Sequence, residues 1–297
     1  MKKETIYALG FFDGVHLGHQ ALLKACRSLA DELNCQAGVV TFTSHPDTLT
    51  AGITPPLINT PKDRSLLLRQ FKMDVIRQLP FDNALMRTSW QDFFQMLLQM
   101  GAAGLVCGED FRFGSRGAGN AALLEKACEE AGIPCRVIPQ QKLDGQVISS
   151  SHIRALLEAG NMEEAAKFLG HPHILSGTVI SGRRIGRSLG IPTANLPLPE
   201  GTVRLPRGVY ACRVWADGSS YLAVTNIGNR PTVGGHHITV EPWLLDFEGD
   251  LYGKELTLEL HRFLRPEKTF STLPELKAEI QKNARQTQEY FEKEKKN

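Results

Sequence analysis

The sequence predicts an α/β protein in two parts: a parallel sheet covered by helices, then an antiparallel sandwich or barrel closed by a terminal helix. Three observations carry this expectation. Up to Ile138, short apolar runs alternate with helical patterns, each pair taking roughly 30 residues, as parallel crossover units do. After Pro172 the pattern changes to short alternating strands with brief turns. Near the end, Leu276, Ile280, Ala284 and Thr287 fall on one helical face, with Phe291 closing it. At 297 residues about two domains are expected. The change of pattern near Gly170–Pro172 gives 1–170 and 171–297.

The first part opens on Ile6 to Leu9, an apolar run of the kind that forms a buried strand. Two glycines and an aspartate break it, and Leu22, Cys26, Leu29 and Leu33 then repeat at helical spacing. A helix N-terminus presents unpaired N–H groups and the positive end of the dipole, which together suit a phosphate. Gly14 and Gly18 would let the backbone approach it, and His16 and His19 add donors that titrate near neutrality. A second strand, Ala37 to Thr43, leads to His45, which Pro46 keeps out of a helix. A helix follows over Pro61 to Phe71, then a strand over Val75 to Leu79. Ser89 caps a helix whose Trp90, Phe93, Phe94 and Leu97 form a core stripe. Leu105 to Cys107 and Cys135 to Ile138 are further strands, and Asp144-Gly145 turns a hairpin.

Two segments of this part admit two readings. Gly108 to Asn120 holds four glycines, Asp110, Arg112 and Arg116 after a strand. It is either a flexible surface loop or a loop over a nucleotide, with Arg112 or Arg116 on phosphates. Ser149, Ser150, Ser151 and Arg154 open a helix, where the hydroxyls either cap it or hold a phosphate with Arg154.

Composition narrows the class. Net charge is +2, too small to imply nucleic acid or a membrane surface as partner. The six cysteines form no CxxC and lack zinc-finger spacing, so buried free thiols are expected. The start lacks a signal-peptide core, and no apolar run approaches the ~18 residues of a membrane span. A reduced, cytoplasmic protein is expected.

In the second part, strands are expected over Ile174–Ile180, Val209–Trp215, Tyr221–Asn226, Ile238–Leu245 and Glu255–Phe263. Between the first two lies a loop with Arg183, Arg184 and Arg187 among glycines, a good polyphosphate cradle, closing on Pro192-Thr193-Ala194-Asn195. In an extended segment Thr193 and Asn195 point the same way and offer oxygens to a hard cation such as Mg²⁺. Asn226 to Thr232 is expected as a second loop. Glu241 stands on an otherwise apolar strand, so it is either on the outer face or functional.

Gly10-Phe11-Phe12-Asp13-Gly14-Val15-His16-Leu17-Gly18-His19 resembles the GxFDxxHxGH signature of the nucleotidyltransferase superfamily. Ser149 to Arg154 resembles its (I/S)SSTxIR element, with Ser151 at the usual Thr, and Gly108 to Gly114 resembles the GxDFxFG segment of prokaryotic bifunctional riboflavin kinase/FAD synthetases. Gly182 to Leu196, Asn226 to Thr232, Glu241 and Leu251 to Glu255 are similar to the riboflavin kinase pattern GxxxGRxLGxPTANL, NIGxRPT, Glu and LYGKE.

The resemblance implies a Rossmann-like nucleotidyltransferase sheet and an antiparallel β-barrel. It implies ATP-dependent phosphorylation of riboflavin to FMN, then adenylylation of FMN to FAD. It places His16 and His19 on ATP phosphates, with Arg154, Ser150 and Ser151 at the β/γ end. Gly10, Phe12, Asp13, Gly18, His45, Asp110 and Arg112 would contact nucleotide or flavin. Thr193 and Asn195 would hold Mg²⁺ and phosphates, and Glu241 would accept the ribityl proton. Gly182, Arg187, Gly190, Pro192 and Asn229 would line that site, and Arg265 would reach it from a mobile loop. Three departures stand out: Ser44 where the family has Pro before His45, and Pro242 and Trp243 after Glu241. The alternative readings are a flavin-binding protein with one or both activities lost, and a riboflavin kinase whose first domain transfers adenylyl groups to another acceptor.

Overall fold

The computed structural model describes residues 4–181, 190–232 and 235–295, with backbone alone at 229–232 and 235–237. The chain forms two compact units that part between His152 and Ile153.

In the first unit, β1 (Thr5–Leu9) is buried throughout and leads through a turn into α1 (Leu17–Glu32). There follow β2 (Gln36–Phe42), α2 (Asp47–Thr50), α3 (Pro61–Gln70) and β3 (Val75–Leu79). Next come α4 (Asn83–Arg87), α5 (Trp90–Gln99) and β4 (Ala102–Gly108). A small hairpin of β5 (Arg112–Phe113) and β6 (Gly119–Asn120) precedes α6 (Ala121–Glu130) and β7 (Cys135–Ile138). A second hairpin, β8 (Lys142–Leu143) with β9 (Gln146–Val147), leads to α7 (Ser150–Glu158).

β1 to β4 and β7 form one parallel sheet in the order β3-β2-β1-β4-β7. Tyr7, Leu9, Leu105 and Cys107 pack with α5 and α6 on one face. By strand alternation Ile6 and Ala8 point to the other, where Cys26 of α1 bonds the Ile6 and Gly38 carbonyls. Helix starts follow the sequence: Thr60, Ser89 and Asn120 accept the backbone N–H of Asp63, Asp92 and Leu123. Asp144 (φ 51°) and Gly145 (φ 80°) are both left-handed, as a tight hairpin requires.

The second unit continues through α8 (Met162–Leu169) into β10 (His173–Thr178) and β11 (Leu196–Pro197). Then come β12 (Gly208–Ala216), β13 (Ser219–Thr232), β14 (Gly235–Leu244), β15 (Glu255–Pro266) and α9 (Leu273–Glu294). The six strands pair antiparallel in the order β10-β15-β12-β13-β14-β11. The sheet curls until its ends meet, where Ile180 N–H donates to the Asn195 carbonyl at 2.8 Å, so it is a nearly closed barrel. Ala284, Thr287 and Phe291 are the buried face of α9, and Thr272 caps it.

One expectation is corrected. Asn226 to Thr232 is not a loop: β13 runs through it, pairing Gly228 to Thr239 and Thr232 to Gly235 of β14. Its Gly, Asn and Pro residues carry a turn signal. Beyond Ile227, however, β12 no longer pairs with β13, and an open side tolerates Pro231.

Two candidate active sites

The turn between β1 and α1 is tightly wound. Phe12 (φ 58°), Gly14 (φ 79°) and Val15 (φ 42°) are all left-handed, an unfavourable state for a β-branched valine that the fold must hold in place. His16 caps α1, its Nδ1 accepting the His19 N–H at 3.2 Å, and the two rings stack at 3.6 Å. A side chain at Gly18 would begin 3.2 Å from the His16 ring, which explains the glycine. His19 Nδ1 is buried with no partner among the described residues. Burial, then His16, then Arg64 hold its pKa well below 6.5, so at neutral pH His19 is an uncharged imidazole with a free ring nitrogen.

Asp13 is buried, and its carboxylate accepts the Ile58 N–H at 2.9 Å and the Asn59 N–H at 3.3 Å. It braces the turn to the segment before α3. Gly10 packs under the Phe12 ring. His45 lies edge-on to Phe11 at 4.7 Å, beyond the carboxyl end of β2. Ser150 donates to the Asp13 carbonyl at 3.0 Å, while Ser149 caps α7 through His152 N–H. The capping reading thus falls to Ser149, and Ser150 ties α7 to the β1–α1 turn. Ser151 is exposed, and Arg154 follows one turn along α7, beyond the unit boundary.

The segment after β4 is a built flap. Phe113 stacks with Phe111 and packs on Trp90 and Phe93, leaving Asp110 and Arg112 exposed. Gly114 (φ 70°) passes so close to α5 that an added Cβ would sit 2.6 Å from the Trp90 backbone.

Sequence reading misses Arg64. It has the side chain largest in volume among those fully buried. Its Nη1 and Nη2 donate to the Phe11 and Phe42 carbonyls at 3.0 and 2.5 Å, and its head stacks over the Phe11 ring at 4.5 Å. The signal was its place on the buried stripe of α3 with Leu67 and Leu68.

In the barrel, Thr193 borders two cavities. One, of about 380 Å³, is lined by Gly190, Pro192, Asn195, Glu248 and Asp250 among others. The other, of about 430 Å³, is lined by Glu241, Asn226, Trp243, Arg265 and Phe270 among others. Glu241 is half-buried, cross-strand from Asn226, and accepts the Thr239 hydroxyl at 3.0 Å. Pro242 accepts the Ala194 N–H at 2.9 Å, two residues before β11 begins, so its missing donor falls outside the β11–β14 pairing. Arg265 is on β15, not in a loop, and is tied to Asn283 at 3.1 Å and Glu279 at 3.5 Å. Gly182 and Arg187, with Arg183 and Arg184, lie outside the described residues, as does the side chain of Asn229.

The FAD synthetase family pattern matches residues 1–152 and the riboflavin kinase pattern residues 169–291. The Escherichia coli K12 bifunctional riboflavin kinase/FMN adenylyltransferase is 35% identical over 290 residues, 96% of this chain and 92% of that one. The chain belongs to this bifunctional family. A Listeria monocytogenes member is 31% identical over 97% of this chain and 93% of its own. A crystal structure of a Streptococcus pneumoniae protein described as a macrolide-efflux protein superposes with a TM-score of 0.85 at 28% identity, over 97% of this chain and 95% of that one. No helix among the described residues is long and apolar enough to cross a membrane.

Proposed function

We propose that the chain makes FAD from riboflavin in two ATP-dependent steps, in the cytoplasm, where its free cysteines stay reduced. Residues 171–297 phosphorylate riboflavin to FMN. Residues 1–170 adenylylate FMN and release pyrophosphate. The observation that carries the reading is Thr193, which borders a cavity with Asn195 on one side and a cavity with Glu241 on the other. Phosphoryl transfer needs nucleotide and acceptor held next to each other with a base beside the acceptor, and two cavities that share Thr193 suit that.

In the kinase step the ribityl 5′-hydroxyl attacks the γ-phosphorus and ADP leaves. Glu241, steadied by Thr239, takes the hydroxyl proton. Thr193 and Asn195 offer neutral oxygens to the same cavity, beside the carboxylates of Glu248 and Asp250. That donor set fits Mg²⁺, which neutralises phosphate charge when bound. Gly190 and Pro192 shape the nucleotide side, and Gly182, Arg187 and Asn229 bind nucleotide or substrate. Arg265 braces the flavin side against α9.

In the second step an FMN phosphate oxygen attacks the α-phosphorus of ATP, and its bond to the β-phosphate breaks. His16, His19 and the N–H groups opening α1 hold the charge that develops. Ser150, Ser151 and Arg154 take the departing pyrophosphate. Gly10, Phe12 and Gly18 shape the turn, and Asp13 holds it through the backbone of Ile58 and Asn59. His45, Asp110 and Arg112 face the FMN side.

The test is chromatography of riboflavin with MgATP and the purified chain. FMN should appear first and FAD after it; absence of both would sink the reading, and FMN alone would leave only the kinase.

A further inference from the structure

We propose that Arg64 is a positioning residue for adenylyl transfer, its buried guanidinium locking the ends of β1 and β2 under the β1–α1 turn. This rests on the adenylylation reading of the first unit.

A buried guanidinium is costly, and one bound only to neutral groups more so. Among the described residues no carboxylate bonds Arg64. Its donors go to two carbonyls, Phe11 and Phe42, and its Nε is buried with no partner among the described residues. Burial pulls its pKa down to about 10, opposed by Asp13, so the charge persists at neutral pH. Packing alone does not demand that charge. The Phe11 carbonyl already accepts the Thr41 hydroxyl at 2.8 Å, and the Asp13 carboxylate serves Ile58 and Asn59. The cation is kept where phosphates are to arrive.

Its geometry gives it two tasks. The fork spans the carboxyl ends of two neighbouring parallel strands, where ligands of such sheets bind. Its face carries the Phe11 ring, which in turn meets His45. One side chain thus fixes both the histidine-bearing turn and the wall opposite. Its charge also acts on His19. His19 is in contact with the stacked His16 from the cap of α1 and the ring of Phe12, and feels the charge of Arg64 from α3, itself offset by Asp13. His16 and Arg64 both disfavour a proton on His19.

The experiment uses the full chain as Arg64→Lys and Arg64→Met. FAD formation from FMN and ATP is measured at steady state, FMN formation from riboflavin serves as the internal control, and His19 is titrated by NMR with ¹³C-labelled histidine. Arg64→Lys keeps the charge and loses the fork. Its kcat for FAD should fall about tenfold or more, with KM for ATP within about twofold and FMN formation unchanged, since a lost positioning contact acts on the transition state. The His19 midpoint should stay low in Arg64→Lys and rise in Arg64→Met. Wild-type turnover in Arg64→Lys, or a raised KM at unchanged kcat, would overturn the proposal; the second would make Arg64 a direct ATP ligand. An unmoved His19 midpoint in Arg64→Met would mean that the guanidinium does not bear on the histidine-bearing turn and would overturn the proposal as well. Should Arg64→Met fail to fold, Arg64→Lys decides on its own. If wild-type chain makes no FAD, the adenylylation reading has failed, and the titration still tells whether Arg64 bears on the histidine-bearing turn.

Discussion

Asp13 and Arg64 do related work by opposite chemistry. One carboxylate gathers the N–H groups of Ile58 and Asn59, and one guanidinium gathers the carbonyls of Phe11 and Phe42. Asp13→Ala would strand buried donors, at a cost of ~1–3 kcal/mol each. Urea unfolding of the first unit should register it as a lower midpoint; an unchanged midpoint would show that the brace carries no stability. Gly18→Ala puts a methyl 3.2 Å from the His16 ring and should slow FAD formation about tenfold while FMN formation stays constant. His16 and His19 were legible in the sequence as a pair at a strand–helix turn, and their rings do stack at the start of α1. The tasks of Asp13 and Arg64 were not, since their partners are backbone groups 45 and 53 residues away for Ile58 and Phe11. No local pattern marks such a partner.

At the scale of elements, the flap and β10 give two further expectations. Gly114→Ala combines a left-handed φ with a clash at Trp90, so it should unseat β5 and β6 from α5. Limited proteolysis should then cut between Phe111 and Asn120, where the wild type resists. On β10, His173 is fully buried, and its Nδ1 has no partner among the described residues. Burial, then His171, lower its pKa from 6.5 to about 3. Protonation therefore favours the unfolded chain. No penalty exists above pH 6.5, and it grows as pH falls toward 3. At pH 5 the loss is ~2 kcal/mol. Equilibrium urea unfolding at pH 7 and 5 measures it, and His173→Leu should flatten the dependence in the second unit. Elements were legible where one face is buried, as in α1, α5 and α9. β13 was misread because Gly228, Asn229 and Pro231 carry turn chemistry, and only pairing with β14 makes them a strand. The flap read as a loop because its order comes from Phe113 packing on α5.

For the whole molecule, the change of sequence pattern announced two architectures, and the chain has both: a parallel sheet with helices and a nearly closed barrel. Where one unit ends was less legible. α7 and α8 are helical like the first part, yet the units part inside α7, at His152 and Ile153. Helical pattern does not say which unit a helix packs against. The central claim is that two separate sites act in sequence, one around Glu241 and one around His16. The most direct measurement is a paired assay of Glu241→Gln and His16→Ala, each supplied once with riboflavin and once with FMN, always with MgATP. Glu241→Gln should lose FMN formation by ~10²–10⁴ and still convert supplied FMN to FAD, as removal of a general base predicts. His16→Ala should accumulate FMN from riboflavin and make little FAD from either substrate. If either substitution abolished both steps, the two sites would not be separate and the account would be contradicted.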